Sequence, residues 1–408
     1  MDSGDTAWML AATTFVLFMT LPGLALFYAG LVQAKSMLSV VMQCFSISAI
    51  VSVLWFLVSY SLAFSHNSLG GLIGGLDMAL LHSVAPWHLY GNIPEIVFFG
   101  FQLTFAIIAP VIIVGAYVER VKYPAVLLFS AAWSLLVYVP ICHWVWGGGW
   151  LAQLGIMDFA GGVVLHANVG LAALVAALVI GRREIFPDRL VPAHNPGLAA
   201  AGAGMLWVGW FGFNGGSQLA ADGSAGMAIA VTHASASAGV VTWIFAEWVR
   251  FRRPSLVGAI TGAIAGLAAV TPASGFIGPA GGLLLGVVSS TVCFFAVGII
   301  KWKLLIDDSL DVFAVHGLGG IIGTLLVAVL ALELLGGKGF IVEGRPFILQ
   351  LGVQALGVVV SMSWAAAFTF LILKALNWLL GGVRVDPEDE IVGLDLATHG
   401  ERSYDLHS

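Results

Sequence analysis

The sequence predicts an all-α polytopic membrane protein of eleven transmembrane helices, N-terminus outside and C-terminus inside, and three observations predict it. Of its 408 residues, 60% are hydrophobic and only 9% charged. A soluble chain of this length needs a charged surface that so few charges cannot supply. Apolar runs recur along the whole chain, each near the roughly 20 residues that span a bilayer core about 30 Å thick. The basic residues are segregated into alternate connections between those runs, as the positive-inside rule requires.

Hydropathy places the spans at 7–31, 37–64, 94–118, 123–143, 158–180, 196–219, 225–248, 254–272, 278–300, 311–334 and 347–374. Residues 254–300 hold no Asp, Glu, Lys or Arg and are too long for one helix. Thr271-Pro272 and Gly278-Pro279 mark a turn between two. Asp2 and Asp5 precede the first run with no Lys or Arg, unlike the basic start of a secretory signal, so the first run reads as a retained span.

Basic residues test the count. Lys35, Arg120, Lys122, Arg182, Arg183, Arg189, Arg250, Arg252, Arg253, Lys301 and Lys303 fall in alternate connections, and Lys374, Arg384 and Arg402 follow on the same side. Only Lys338 and Arg345 fall on the other. A miscount by one span would scramble this segregation. Residues 1–382 therefore read as a single transmembrane domain, and 383–408 as an acidic cytoplasmic tail, either disordered or a docking element. The net charge of −6 carries little meaning with so few charges. No basic stripe suggests nucleic acid. Cys44, Cys142 and Cys293 lie in or beside apolar runs and read as packed free thiols.

An internal repeat is visible. Span five begins at Asp158 and carries His166; span ten begins at Asp311 and carries His316. Five spans separate them, so the two run in opposite directions. That is the signature of an inverted 5+5 repeat, with halves at about 7–180 and 196–334 and helix 347–374 appended.

Ionisable groups inside spans are costly and by default functional. His166 lies eight residues past Asp158, roughly 12 Å along a helix, and His316 five past Asp311, roughly 8 Å. Starting from opposite faces, both imidazoles end inside the apolar core, where each can donate and accept one hydrogen bond. Either one alone reads as a helix bridge. As a pair at repeat-related positions they point to a solute pathway. Metal binding is a third reading, but no carboxylate or cysteine sits beside them at ligand spacing. Asp158 and Asp311 suit positive helix N-termini. Asp158 equally suits a cation site, because it follows the aromatic, glycine-rich run from His143 to Trp150. Trp146 offers an indole face to a small cation. Trp8, Trp248, Trp302 and Trp378 read instead as interfacial anchors. The run from Trp207 to Ser217 packs rings, glycines and a hydroxyl into the outer end of span six, and Phe101 to Phe105 adds phenylalanines from span three.

These stretches, with Pro22-Gly23-Leu24-Ala25-Leu26-Phe27-Tyr28-Ala29-Gly30, Asp158-Phe159-Ala160-Gly161-Gly162, Asp311 through Gly317, Gly393-Leu394-Asp395 and His399-Gly400-Glu401, resemble the ammonium transporters, the Amt branch of the Amt/Rh superfamily, in its bacterial-type form. The resemblance runs through nearly the whole chain. It implies an outer site for ammonium at Trp146, Phe105, Phe213 and Ser217, with the buried acid Asp158 below it. Phe105 and Phe213 would close the outer end of a pore lined by His166 and His316. Also implied are a homotrimer in the plasma membrane (the inner membrane, if bacterial), methylammonium as substrate analogue, no cofactor, and a PII-type signal protein on the cytoplasmic face. Trp146 and Ser217 favour Amt over Rh, whose recruitment site is depleted. Gln33 and Asp386-Pro387 depart from the usual pattern, which bears on partner docking.

Dehydrating a cation in an apolar constriction costs far more than passing neutral ammonia. The expected mechanism is recruitment of ammonium, loss of a proton, and conduction of ammonia past the histidines, with or without separate movement of the proton. The alternative is an ammonium sensor signalling through its tail, a form that usually carries a fused cytoplasmic domain. An enzyme is not expected, since no nucleophile–base pair, phosphate loop or metal cluster occurs in the sequence.

Overall fold

The computed structural model describes residues 1–66, 69–189 and 191–404; the last four residues expected in the tail, 405–408, lie outside them. In chain order the long helices are α1 Ser3–Leu31, α2 Ala34–Phe64, α3 Glu95–Tyr117, α4 Tyr123–Gln153, α5 Gly162–Ile180, α6 Pro196–Gly216, α7 Gly223–Phe251, α8 Leu256–Val270, α9 Pro279–Lys303, α10 Phe313–Leu330 and α11 Phe347–Leu379. Among the described residues, nine of these are long and apolar enough to cross a membrane. The two outside that set are the glycine-rich α6 and the 15-residue α8. Each expected span has its helix.

Local chemistry sets the starts. The Asp2 carboxylate accepts the Asp5 N–H, the Asn195 amide oxygen that of Leu198, Asp222 those of Ser224 and Ala225, and Ser255 that of Gly258. Each satisfies donors that a helix N-terminus leaves unpaired. Pro196 and Pro279 sit in first turns, where their missing N–H costs nothing. α4 runs past its expected end at 143, breaks at Gly147-Gly148-Gly149 and closes with a short turn from Trp150.

Hydrogen bonds among the connections fall into two sets, one at each end of the bundle. At the first end, Ala221 N–H reaches Asp5, Trp150 N–H reaches Gly71 O, Phe159 N–H reaches Pro272 O and Lys338 N–H reaches Phe276 O. At the second, Arg120 reaches Gly181 and Asp307, Arg384 reaches Arg182, and Asn195 N–H reaches Gly30 O. The basic connections gather at this second end.

α7, α8 and α9 pack tightly together, while α11 lies across α4, α5 and α10. The tail is folded. It forms α12 Pro387–Val392 and α13 Leu394–His399. Asp395 accepts the N–H groups of Leu38 at 3.0 Å and Ser39 at 2.7 Å, capping α2, and Lys35 bonds the carbonyls of Glu390 and Ile391. These tail residues are therefore ordered against the chain's own α2, not disordered. Trp248, Trp302 and Trp378 are exposed, as anchors must be, but the Trp8 indole donates to Gly215 O and ties α1 to α6.

Candidate functional site

A short motif that occurs twice builds the site. Asp158 lies in irregular chain ahead of α5, not in its first turn, and its carboxylate accepts four backbone N–H groups. These come from Gly161 at 2.8 Å, Gly162 at 2.6 Å, Val163 at 2.8 Å and Val164 at 3.0 Å. Gly161 has φ 115°, a region open to glycine. The chain then enters a π-helical turn, Gly162–Ala167, in which the His166 N–H bonds Gly161 O at 2.9 Å. The same sequence of events precedes His316, and there the acid is Asp308. Its carboxylate accepts Val312 N–H at 3.0 Å and Phe313 N–H at 2.7 Å. Asp311 takes the positive φ, 59°, and the π-helical turn is Phe313–Gly317.

The repeat partner of Asp158 is therefore Asp308. The expectation that Asp311 fills that place is corrected: Asp311 forms an ion pair with Lys301 at 2.9 Å. Three acids in Asp307-Asp308-Ser309-Leu310-Asp311 obscured the register, and the last of them, next to the apolar run, looked like the start of the helix. The signal was present, since Asp158 to His166 and Asp308 to His316 are both eight residues.

α5 and α10 cross where the histidines meet. A Cβ on Gly170 would lie 2.2 Å from the Gly317 Cα, so only glycine allows the two backbones this close. His166 and His316 are buried, with Nδ1 atoms 3.2 Å apart and rings nearly parallel at 5.3 Å. That contact requires one Nδ1 to donate and the other to accept, so the two rings hold opposite tautomers. Trp210 stacks on His166 at 5.5 Å and is fixed by its own bond to Thr271. Trp210 lies in the run from Trp207 to Ser217, whose pattern does not single out this ring. Among the described residues nothing hydrogen-bonds the buried His166 Nε2.

Three cavities lie along one line of residues. The first, about 230 Å³, is lined by Trp146, Ser217, Phe98, Gln102, Tyr90 and Phe159. The third, about 210 Å³, is lined by His316, Phe27, Tyr28, Thr261, Lys301 and Asp311. Between them a constricted chamber of about 10 Å³ is bounded by His166, His316, Trp210, Phe213 and aliphatic side chains. His316, Phe27 and Ile264 border both the chamber and the third cavity. Phe213 stacks on Phe105 at 4.1 Å, and Phe105 meets Trp146 edge-on at 5.6 Å. The stacked pair therefore stands between the first cavity and the chamber.

Of the residues expected at a cation site, Trp146 and Ser217 line the first cavity, Phe213 lines the chamber, and Phe105 links them through its ring contacts with Trp146 and Phe213. Asp158 does not line it. Its carboxylate faces its own backbone, and its carbonyl accepts the Trp146 indole N–H at 2.8 Å, so it aims the indole. Ser217 donates to Phe213 O at 2.8 Å, which leaves its oxygen as an acceptor toward the cavity.

At the second end, Arg183 pairs with Asp307 and Glu119 at 2.8 Å each. Burial pushes the Asp307 carboxyl up, but Arg183 and then Arg120 outweigh it and hold it below the usual carboxylate range. Burial, and then Asp311, push Asp308 up to about 7. Burial lowers Arg120 to about 10, against the pull of Asp307, so it stays charged at neutral pH.

The profile of the Ammonium Transporter Family matches residues 7–404. The chain is 42% identical over 406 residues to the ammonium transporter of Aquifex aeolicus, covering 100% of this chain and 94% of that one. It is also 42% identical over 409 residues to the ammonium transporter of Bacillus subtilis, covering 99% of each. Among solved structures, it resembles one called Sensor Amt Protein, with TM-score 0.90 and 33% identity over 97% of this chain and 98% of that one. It also resembles Saccharomyces cerevisiae Mep2, with TM-score 0.86 and 33% identity over 95% and 91%.

Proposed function

Because this chain belongs to the ammonium transporter family, we propose that it gathers ammonium at Trp146 and Ser217, removes a proton, and conducts ammonia past His166 and His316. The eleven helices are read as eleven crossings, with the Trp146 cavity outside and the basic end in the cytoplasm, which fits the two sets of connections. A small cation suits the indole face of Trp146 and the Ser217 oxygen, with the capped Asp158 charge behind them.

The chamber carries this reading. At about 10 Å³ it has room for about one water-sized molecule, and its walls are rings and aliphatic groups. A full cation would lose its water there with little in return. Neutral ammonia would need one acceptor and one donor, and the opposed tautomers of His166 and His316 offer both. Potassium, which has no proton to lose, is excluded. Transport, not sensing, is the reading supported by the Aquifex aeolicus and Bacillus subtilis relatives, both called ammonium transporters. The protein is read as a homotrimer with one pore per copy, in the plasma membrane, taking methylammonium as an analogue and docking a PII-type protein at its cytoplasmic face.

Proteoliposomes test the mechanism. The wild-type chain should move ammonium and methylammonium without potassium. His166→Ala and His316→Ala should each lose that discrimination or lose transport. Unaltered rate and selectivity in both variants would overturn the histidine pathway. A current on an ammonium pulse would show the proton crossing separately; its absence in an active protein would show electroneutral passage.

A further inference from the structure

We propose that Gln354 and Arg120 are a matched pair of positioning residues that clamp the two Asp-capped turns and thereby set where His166 and His316 stand in the pathway. The proposal rests on the reading above and adds to it two residues that touch neither the cavities nor the histidines.

Gln354 lies on α11 and is fully buried. Its Oε1 accepts the Met157 N–H at 2.8 Å, and its Nε2 donates to Met157 O at 2.8 Å and to Thr324 O at 2.9 Å. Met157 is the residue before Asp158. Thr324 lies on α10, the helix that carries His316. One amide thus holds both backbone groups of the residue before one cap and ties that segment to the opposite histidine helix. Gln350 extends the clamp by donating to Gly155 O and to Gln354 Oε1, each at 3.1 Å.

Arg120 does the same at the other end. Its guanidinium donates to Asp307 O at 2.7 Å and Ser309 Oγ at 2.6 Å, the residues before and after Asp308. It also reaches Ala116 O at 2.9 Å and Gly181 O at 2.9 Å. So the backbone carbonyl just before each capping aspartate is held by a fully buried side chain from a distant element.

The clamps themselves are not repeat-related. Arg120 comes from the connection between α3 and α4, and Gln354 comes from α11, outside both repeats. The appended helix thereby supplies what the first cap lacks from its own half. The need for such clamps is geometric. Each carboxylate is satisfied by its own turn, so the cap fixes the turn's shape but not its height. The 3.2 Å contact between histidines on crossing helices demands that both heights be set, because shifts near 1 Å in positioned groups are worth orders of magnitude in rate.

The test is Gln354→Met, which keeps size and removes all four bonds of the amide, reconstituted beside wild type. The expected result is a folded protein with transport of ammonium lowered roughly tenfold or more, together with a potassium flux that wild type lacks. Gln354→Glu keeps the acceptor for Met157 N–H and should fall between the two; it also takes the place of Gln354→Met if that variant does not fold. Thr369→Val is the control, since it removes another buried bond of α11, from the Trp133 indole, far from both caps. It should transport like wild type per folded protein. Arg120→Lys keeps the charge beside Asp307 but not the fork, and should lose rate and selectivity as Gln354→Met does. Lower yield with unchanged rate and selectivity per folded molecule would overturn the proposal, reducing the clamps to plain structural bonds. A wild-type chain that moves no ammonium would instead refute the function on which it rests.

Discussion

The two aspartates near His316 do different work, and a single substitution in each separates them. Asp308 satisfies two N–H groups at the start of the His316 turn, fully buried. Asp308→Ala strands both donors and should cost about 1–2 kcal/mol, with transport lowered as well. Asp311 pairs with Lys301 at the partly exposed edge of the third cavity. Such pairs are worth about 0–1 kcal/mol, so Asp311→Asn should leave stability nearly unchanged. Thermal unfolding in detergent, read for both variants, checks the assignment; equal losses would contradict it. At the other end, Phe213→Ala removes one of the two stacked rings over the chamber. It should raise potassium entry into proteoliposomes while leaving the histidine contact in place.

At the scale of elements, the crossing of α5 on α10 depends on Gly170 and Gly317, because a methyl at Gly170 meets backbone and not a movable side chain. Gly170→Ala should separate the helices and destabilise the protein by about 1–3 kcal/mol, seen as a lower unfolding temperature and lost transport. The tail poses a similar problem. Gly393 has φ 105°, and a Cβ there would lie 2.5 Å from Lys35. Gly393→Ala should therefore release α13 from α2, observable as proteolytic cleavage after Val392 in a chain whose membrane helices stay intact. Removing everything after Gly382 should abolish binding of a PII-type regulator in a pull-down; unchanged binding would refute a role for the tail in docking. That truncation also takes away Val383 and Val385, whose backbones pair with Lys122 and Arg120, so its effect should reach the Arg120 loop.

For the whole molecule, the ion network at the second end joins connections from both halves, and its pH dependence has a definite sign. Asp307 is held below its unfolded range by Arg183 and Arg120. Its contribution is complete above about pH 4 and is lost as pH falls through the depressed folded value, leaving the buried Arg120 without its carboxylate and Arg183 with Glu119 alone. Asp308 acts in the opposite sense. With its carboxyl up at about 7, its contribution is present below the unfolded carboxylate range and is lost as pH rises through about 7. The unfolding temperature should therefore drop on the acid side, and Asp307→Asn should flatten that acid limb; an unchanged limb would exclude Asp307 as its source.

What the sequence determined by itself is whatever depends on composition and period. Apolar run lengths, the segregation of Lys and Arg, and two histidines in opposed spans define the helices, the ends at which the charges lie and the central pair, because each reads out transfer between water and an apolar medium. The aromatic residues near Trp146 were legible for the same reason. The tertiary structure decided what depends on contact between distant segments. It shows that Asp308 and not Asp311 matches Asp158, that the Asp158 carboxylate turns to its own backbone, and that Trp210 stacks on His166. It also brings Gln354 and Arg120 to the residues before the two caps. Hydropathy records how much a residue prefers to leave water; it does not say which partner a buried polar group will find. That choice is made by the crossing of α5 and α10, where two glycines let the backbones touch.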